Sequence, residues 1–242
     1  MIHYSVIIPL HNEESSITDL IEELEPVMQS LSQPWELICI DDGSTDQTKK
    51  VVSELCTIKP YLKLISFDKN YGQSSAFDAG FKAAKGSYLI TLDGDGQNDP
   101  NDIPKLLSFI PQYDLVCGVR VKRQDSWWKR ICSKSANRFR NWLCDEEILD
   151  TGCSLKVYRK ECVSKLKLYH GLHRHFPLLF KIEGYSMHQE PVHHRPRLKG
   201  VSKYHLFNRS FNTFSDLLAV YWMKKRQLRY QIAETINSKN PS

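Results

Sequence analysis

The stretch Thr91–Pro100, TLDGDGQNDP, ends an apolar run in a burst of carboxylates. Asp93 and Asp95 stand one residue apart, with Asp99 and the amide of Gln97 close behind. Like charges this near repel one another unless a cation or hydrogen-bond donors sit among them. A DxD pair offers oxygen ligands to a hard divalent cation, and such sites leave coordination positions for water and substrate phosphates. Gly94 and Gly96 allow a turn tight enough for Asp95 and Gln97 to reach one ion. A cation held there would neutralise a diphosphate leaving group, the electrostatic work that group transfer from a nucleotide demands. A second doublet, Asp41 and Asp42, follows WELICI. Acids after strands can simply cap the next helix, as Asp46 and Asp99 are placed to do, but a cap needs one carboxylate and not two.

The elements that carry these acids alternate. YSVIIPL, WELICI, LKLISF and SYLITL are apolar runs of strand length. Between them lie helical patterns: one from Ser16 as N-cap to about Gln29, one from Thr45 to Cys56 and one from Ser74 to Lys85. Strands that are apolar throughout belong to a sheet covered by helices on both faces, so the fold class is α/β with a mostly parallel, Rossmann-like sheet. Sheets of this kind bind ligands at the carboxyl ends of their strands, where this chain has PLHNEE, IDDGSTD, FDKNYGQ and LDGDGQND. Further on, Asn101–Ile110 reads as helix, Asp114–Arg120 as a fifth strand and Ser126–Leu143 as a basic helix. Ser154–Tyr158 follows as a strand, Gly171–Glu183 as a helix broken near Pro177, and Tyr185–His193 as a strand.

Length and composition exclude several classes. At 242 residues and 41% apolar content the chain suits a soluble globular domain with a sizeable core. Seven scattered cysteines without a CxxC pair argue against a disulfide framework and for a reducing compartment. MIHYS enters a strand at once, so no signal peptide is expected, and no apolar run approaches a membrane span. GxxxxGK, GxGxxG and GxSxG are missing, which disfavours P-loop, NAD-dependent and nucleophile-elbow enzymes. The histidine pairs His173/His175 and His193/His194 lack partners at zinc-ligand spacing.

The net charge of +5 is unevenly spread: basic residues crowd Arg120–Arg140 against the lone acid Asp125, and return at Arg195–Arg209 and Lys224–Arg229. Such patches suit phosphates or an anionic membrane face, and no nucleic-acid motif accompanies them. From Phe207 to Trp222 aromatic and aliphatic residues recur every three or four positions. That pattern fits a surface helix packed on the sheet, or one lying in a membrane interface with its basic end at lipid phosphates.

VIIPLHNEE, ICIDDGSTDQT, NYGQSSAFDAGF and TLDGDGQNDP together resemble glycosyltransferase family 2, which has the GT-A fold. RQDSWWKRICSKSANRF, DTGCSLKVYRK and VHHRPRLKGVSKY look like its polyprenyl-phosphate branch. The resemblance implies that Pro9, Asn12, Glu13 and Asp42 line the nucleotide base and ribose, with Asp41 and Gln73 nearby. It implies that Asp93 faces the ribose or sugar, and that Asp95 and Gln97 hold Mg or Mn on the diphosphate. Arg120, Arg138, Arg197, Ser202 and Lys203 would gather the acceptor phosphate.

The expected activity is therefore inverting transfer from a nucleotide sugar, a UDP-sugar for preference, to a polyprenyl phosphate such as undecaprenyl phosphate. It would take place on the cytoplasmic face of the inner membrane, with the chain docked peripherally or through a separate anchor protein and self-associating as relatives do. A lipid monophosphate is already anionic near neutral pH and needs no general base. A saccharide or protein hydroxyl acceptor would need one, and Asp150 in LDTGC is the carboxylate to test. A third alternative is a non-catalytic nucleotide-sugar-binding protein at a membrane. Residues 1–204 read as one catalytic domain, with a nucleotide half (1–100) and an acceptor half (101–204). An amphipathic helix (205–229) and a polar tail (230–242) follow.

Overall fold

The computed structural model describes residues 2–120, 147–196, 206–228, 230 and 233–234. The expected basic helix Ser126–Leu143 lies outside them, as do Arg138, Arg197, Ser202 and Lys203. Both halves of the chain contribute to one seven-stranded sheet, ordered β3-β2-β1-β4-β6-β5-β7. The strands are β1 Tyr4–Leu10, β2 Trp35–Asp41, β3 Leu62–Ser66, β4 Tyr88–Thr91, β5 Leu115–Arg120, β6 Lys156–Arg159 and β7 Met187–Val192. The helices are α1 Ile17–Ser30, α2 Thr48–Ile58, α3 Gln73–Ala83, α4 Ile103–Leu107, α5 Lys160–Val163, α6 Phe176–Ile182 and α7 Leu206–Arg226. All neighbouring strands run parallel except at β6, which is antiparallel to both β4 and β5. The carboxyl ends of the parallel strands and the amino end of β6 therefore meet at one edge of the sheet.

Alternation along the strands builds two cores, as a two-residue side-chain period requires. Val6, Ile8 and Leu10 face one way and pack with Leu20, Ile21 and Leu24 of α1, whereas Ile7 faces the other way with Phe77 and Phe81 of α3. Pro9 sits in a central strand without penalty: β4 pairs with β1 only as far as Ile7, so the missing Pro9 N–H falls beyond that ladder.

Several boundaries depart from the sequence reading for local reasons. Helix α2 begins at Thr48 and not at Thr45, because Thr45 N–H donates to Asn12 Oδ1 (2.7 Å) and Asp46 Oδ1 accepts from Thr48 N–H (2.9 Å). Ser16 is the N-cap of α1 by position, but its hydroxyl donates to Gly94 O at 2.8 Å and so braces the acidic loop of the site. Pro177 does not break a helix. It stands in the first turn of α6, where its missing N–H costs nothing, after a 3₁₀ turn at Leu172–His175.

Segment 170–175 fastens α7 and α3 together. Ser74, in the first turn of α3, accepts Gly171 N–H at 3.0 Å and meets His173 Nδ1 at 2.6 Å. The hydroxyl can accept Gly171 N–H and still donate its own hydrogen to Nδ1 of a neutral ring. Burial, and then the Arg174 charge, push the His173 pKa down to about 3 from its ordinary 6.5. A depressed histidine pKa means that stability from this contact is complete above about pH 6.5 and is lost as pH falls from there toward 3. Replacing His173 with Gln is expected to flatten the fall of Tm between about pH 6 and 4, measured by circular dichroism melting.

On α7, Leu217 and Val220 are buried against the core around α6, while Leu218 (44% exposed) and Trp222 (62% exposed) face outward. Leu218 and Trp222 thus stand on a side of the helix that the core does not cover. No helix among the described residues is long and apolar enough to cross a membrane.

Candidate active site

Three loops converge at the strand-end edge. The first, after β1, is His11–Ser16; Asn12 has a left-handed φ of 54°, donates its N–H to Ser44 Oγ (2.9 Å) and accepts Thr45 N–H at its side chain. Glu13 N–H donates to Thr48 Oγ1 at 2.8 Å. These contacts clamp the second loop, DDGSTD after β2, against the first. Asp41 Oδ1 accepts from Ser44 N–H at 3.2 Å within the turn. Asp42 reaches the other way: its two oxygens accept Tyr71 N–H (2.7 Å) and Gly72 N–H (2.9 Å), just ahead of α3. Burial raises the Asp42 pKa above the usual carboxylate range, and those two amides partly offset the rise.

The third loop, after β4, is the acidic one. Gln73 Nε2 donates to Asp93 Oδ1 at 2.8 Å, joining α3 to it. Asp95 Oδ1 accepts Gln97 N–H at 3.1 Å across a turn in which Gly96 has φ +71°. Burial first, then the Asp95 charge, push the Asp93 carboxyl up to about 6, while Ser154, Lys156 and Arg120 pull it down. By type, the Asp95 carboxylate and the Gln97 side-chain amide oxygen suit a hard divalent cation, which is the chemistry such a site would need. Among the described residues no group of three or more His, Cys, Asp or Glu is gathered into a metal cluster. A cation held here would complete its coordination with diphosphate oxygens and water.

The two glycines of this loop serve different ends. A Cβ on Gly94 would lie 2.4 Å from Leu10 Cδ2, whereas one on Gly96 would meet nothing within 4 Å. Gly96→Ala should therefore cost only backbone strain, about 1 kcal/mol, and Gly94→Ala an overpacking penalty of about 1–3 kcal/mol. Urea unfolding of the two variants checks that order.

The second half of the chain closes against this loop from two sides. Beyond β7, Asn98 bridges His194, Arg195 N–H donates to Gln97 O (2.9 Å) and Gln97 Nε2 donates to Arg195 O (3.3 Å). Arg195 itself is held by Glu23 and Asp99, and His193 by Asp102. The histidine pair of VHHRPR is thus a brace. From the other side, Ser154 Oγ donates to Asn98 Oδ1 (2.6 Å) and Thr91 Oγ1 to Ser154 O (2.6 Å). Arg120, the last residue of β5, forms a two-pronged pair with Asp150: Nε–Oδ2 2.7 Å and Nη2–Oδ1 2.9 Å. Burial pushes the Asp150 pKa up, but Arg120 and the Gly152 and Arg120 amides together hold it below the usual range.

The described structure therefore brings Pro9, Asn12, Glu13, Asp41, Asp42, Gln73, Asp93, Asp95, Gln97, Arg120 and Asp150 to one edge of the sheet. Sequence reasoning missed Lys156. It is 3% exposed at the first position of β6, donates to the Cys153 carbonyl, and supplies positive charge that lowers the Asp93 pKa. A lysine set among Leu155, Val157 and Tyr158 was the available signal. Of the described cysteines all are free, and Cys39, Cys117, Cys153 and Cys162 are buried.

A mixed sheet with a nucleotide-type parallel half and acidic strand ends is the architecture of a GT-A glycosyltransferase. Glucosyl-3-phosphoglycerate synthase from Mycobacterium tuberculosis, solved with Mn2+ and UDP-glucose, superposes with a TM-score of 0.72 over 91% of this chain and 79% of its own, at 20% identity. The same enzyme with Mn2+, UDP and phosphoglyceric acid gives a TM-score of 0.70 over 94% and 80%, at 19% identity. Residues 5–167 match the model of glycosyl transferase family 2, and the chain belongs to that family. It is 37% identical over 216 residues to the undecaprenyl-phosphate 4-deoxy-4-formamido-L-arabinose transferases of Pectobacterium carotovorum and Pectobacterium atrosepticum. The match covers 88% of this chain and 66% of each relative.

Proposed function

We propose that the chain is an inverting glycosyltransferase that moves a sugar from a nucleotide sugar, a UDP-sugar for preference, to a polyprenyl phosphate such as undecaprenyl phosphate. The observation that carries this reading is the joining, at one sheet edge, of the Asp93–Gln97 loop to Arg120 and to the strand that leads into RPRLKGVSKY. The donor-side acid Asp93 and the one described acceptor-side base of that set, Arg120, then lie within electrostatic reach of each other. The names of the 37% identical relatives support the acceptor, and the Mn2+ and UDP-glucose bound by the fold neighbour support the donor and a divalent cation.

The chain's own residues divide the work. Asn12, Glu13 and the Asp41–Asp42 turn would hold the nucleoside, and Gln73 would orient Asp93 beside the sugar. Asp95 and Gln97 would hold Mg or Mn, which when bound supplies positive charge to the departing diphosphate. Arg120, with Arg138, Arg197, Ser202 and Lys203, would draw in the acceptor phosphate, whose second pKa of about 6 leaves it nucleophilic without a base. Two anions approaching one another need these counter-charges on both sides. The outward Leu218 and Trp222, followed by Lys224, Lys225 and Arg226, suit peripheral docking on the anionic cytoplasmic face of a membrane.

Incubation with radiolabelled nucleotide sugars, purified undecaprenyl phosphate and Mn tests the reading. A labelled lipid-phosphate sugar is the expected product; no such product with any common nucleotide sugar overturns the proposal.

A further inference from the structure

We propose that Asp150 is a positioning residue that aims Arg120 at the incoming phosphate and takes no proton in the reaction. The inference rests on Arg120 being a ligand of the acceptor phosphate, as proposed above. Both carboxylate oxygens are committed. Oδ2 accepts from Arg120 Nε (2.7 Å) and Arg120 N–H (3.3 Å), and Oδ1 accepts from Arg120 Nη2 (2.9 Å) and Gly152 N–H (2.9 Å). The pair is well shielded, with 15% of the Arg120 side chain and 9% of the Asp150 side chain exposed. A guanidinium gripped through Nε and Nη2 is fixed in its plane, and its Nη1 edge, on the far side from the carboxylate, is the one left to meet an anion. An arginine at the end of a strand would otherwise sample many rotamers, and binding phosphate would then carry the cost of ordering it.

The carboxylate is itself held in place. Its loop is braced on one side by Leu149 N–H donating to Gln189 Oε1 (2.8 Å). On the other side Ser154 bonds Asn98 (2.6 Å) and Thr91 bonds the Ser154 carbonyl (2.6 Å). Arg120 is thereby referenced, through Asp150, to the same loop that carries Asp93 and Asp95. Gly152 completes the seat: a Cβ there would lie 2.7 Å from Arg120 Nη2, so only glycine lets the guanidinium lie flat along the loop.

That contact separates positioning from proton transfer. Gly152→Ala leaves the Asp150 carboxylate in place and displaces the head of Arg120, so it harms a positioning device and spares a base. Steady-state transfer to a soluble short-chain polyprenyl phosphate is measured for wild type, Asp150→Asn, Gly152→Ala, Arg120→Ala and the Asp150→Asn/Arg120→Ala double variant. Calorimetry with UDP and Mn on each variant verifies that the donor half is intact. Asp150→Asn and Gly152→Ala are each expected to raise the acceptor KM about tenfold, with donor KM and the shape of the pH–rate profile unchanged. The double variant should be no worse than Arg120→Ala alone. A Gly152→Ala enzyme that behaves as wild type overturns the inference. So does an Asp150→Asn enzyme that loses kcat at unchanged acceptor KM with an altered pH profile. Should wild type transfer sugar to a hydroxyl and to no lipid phosphate, the proposed function itself falls, a result distinct from either of these.

Discussion

Asp95→Ala is expected to lower kcat/KM for transfer about a thousandfold, equivalent to about 4 kcal/mol of transition-state stabilisation. In the proposed site Asp95 and Gln97 hold the cation, and among the described residues no group of three or more His, Cys, Asp or Glu is gathered to hold it in their place. Removing Asp95 would leave only the Gln97 amide of that proposed pair. The folded protein should not suffer. Asp95 is the charge that, after burial, most raises the Asp93 pKa, so its removal relieves a repulsion in the ion-free state. Thermal melting distinguishes the two effects: the variant should melt no lower than wild type alone, and should lack the upward shift expected of wild type with UDP and Mn. A variant that keeps both the shift and the activity would show that the cation sits elsewhere.

Gly43→Ala should have the largest effect on stability, more than about 3 kcal/mol out of a total of about 5–15. A Cβ on Gly43 would lie 2.3 Å from the carbonyl carbon of Lys69 and 2.5 Å from the Asn70 nitrogen, and the residue has φ +65°. Those neighbours are backbone, so neither can swing aside. The loop they belong to leads to the Tyr71 and Gly72 amides that bind Asp42, so any retreat also pulls on the nucleotide side of the site. Gly184 provides the control: it has φ +82° but nothing within 4 Å of a Cβ. Gly184→Ala should cost about 1 kcal/mol, the price of backbone strain alone. Urea midpoints for the two variants measure the difference, and equal losses would contradict the packing argument.

Much of this site was legible in the sequence because its signals are local. The doublets Asp41–Asp42 and Asp93–Asp95 each follow an apolar run, and strand ends in a parallel sheet share an edge whatever the strand order. Strand direction was not legible. Lys156–Arg159 is a short run with no turn signal to give its sense, so nothing local marks β6 as antiparallel. The Arg120–Asp150 pair spans thirty positions and leaves no periodic trace, so each residue was assigned a separate role from its own surroundings. Ser16 illustrates the opposite failure. Its type and position fit an N-cap, but the Gly94 carbonyl competed for the hydroxyl and won.

The place of β6 in the sheet also sets the order in which the chain can fold. β1 to β4 pair only with one another until β6 joins, and successive βα units of this kind close from near neighbours in sequence. β5 is different: its partners are β6 and β7, both made after it, so on emerging from the ribosome it has no strand to pair with. Val116 and Cys117 must stay unpaired until the chain has run on through Tyr158. β1 to β4 can thus pair during synthesis, while β5 waits for the later strand β6, which comes to lie between β4 and β5. An apolar strand left without partners over such an interval is a general route to aggregation.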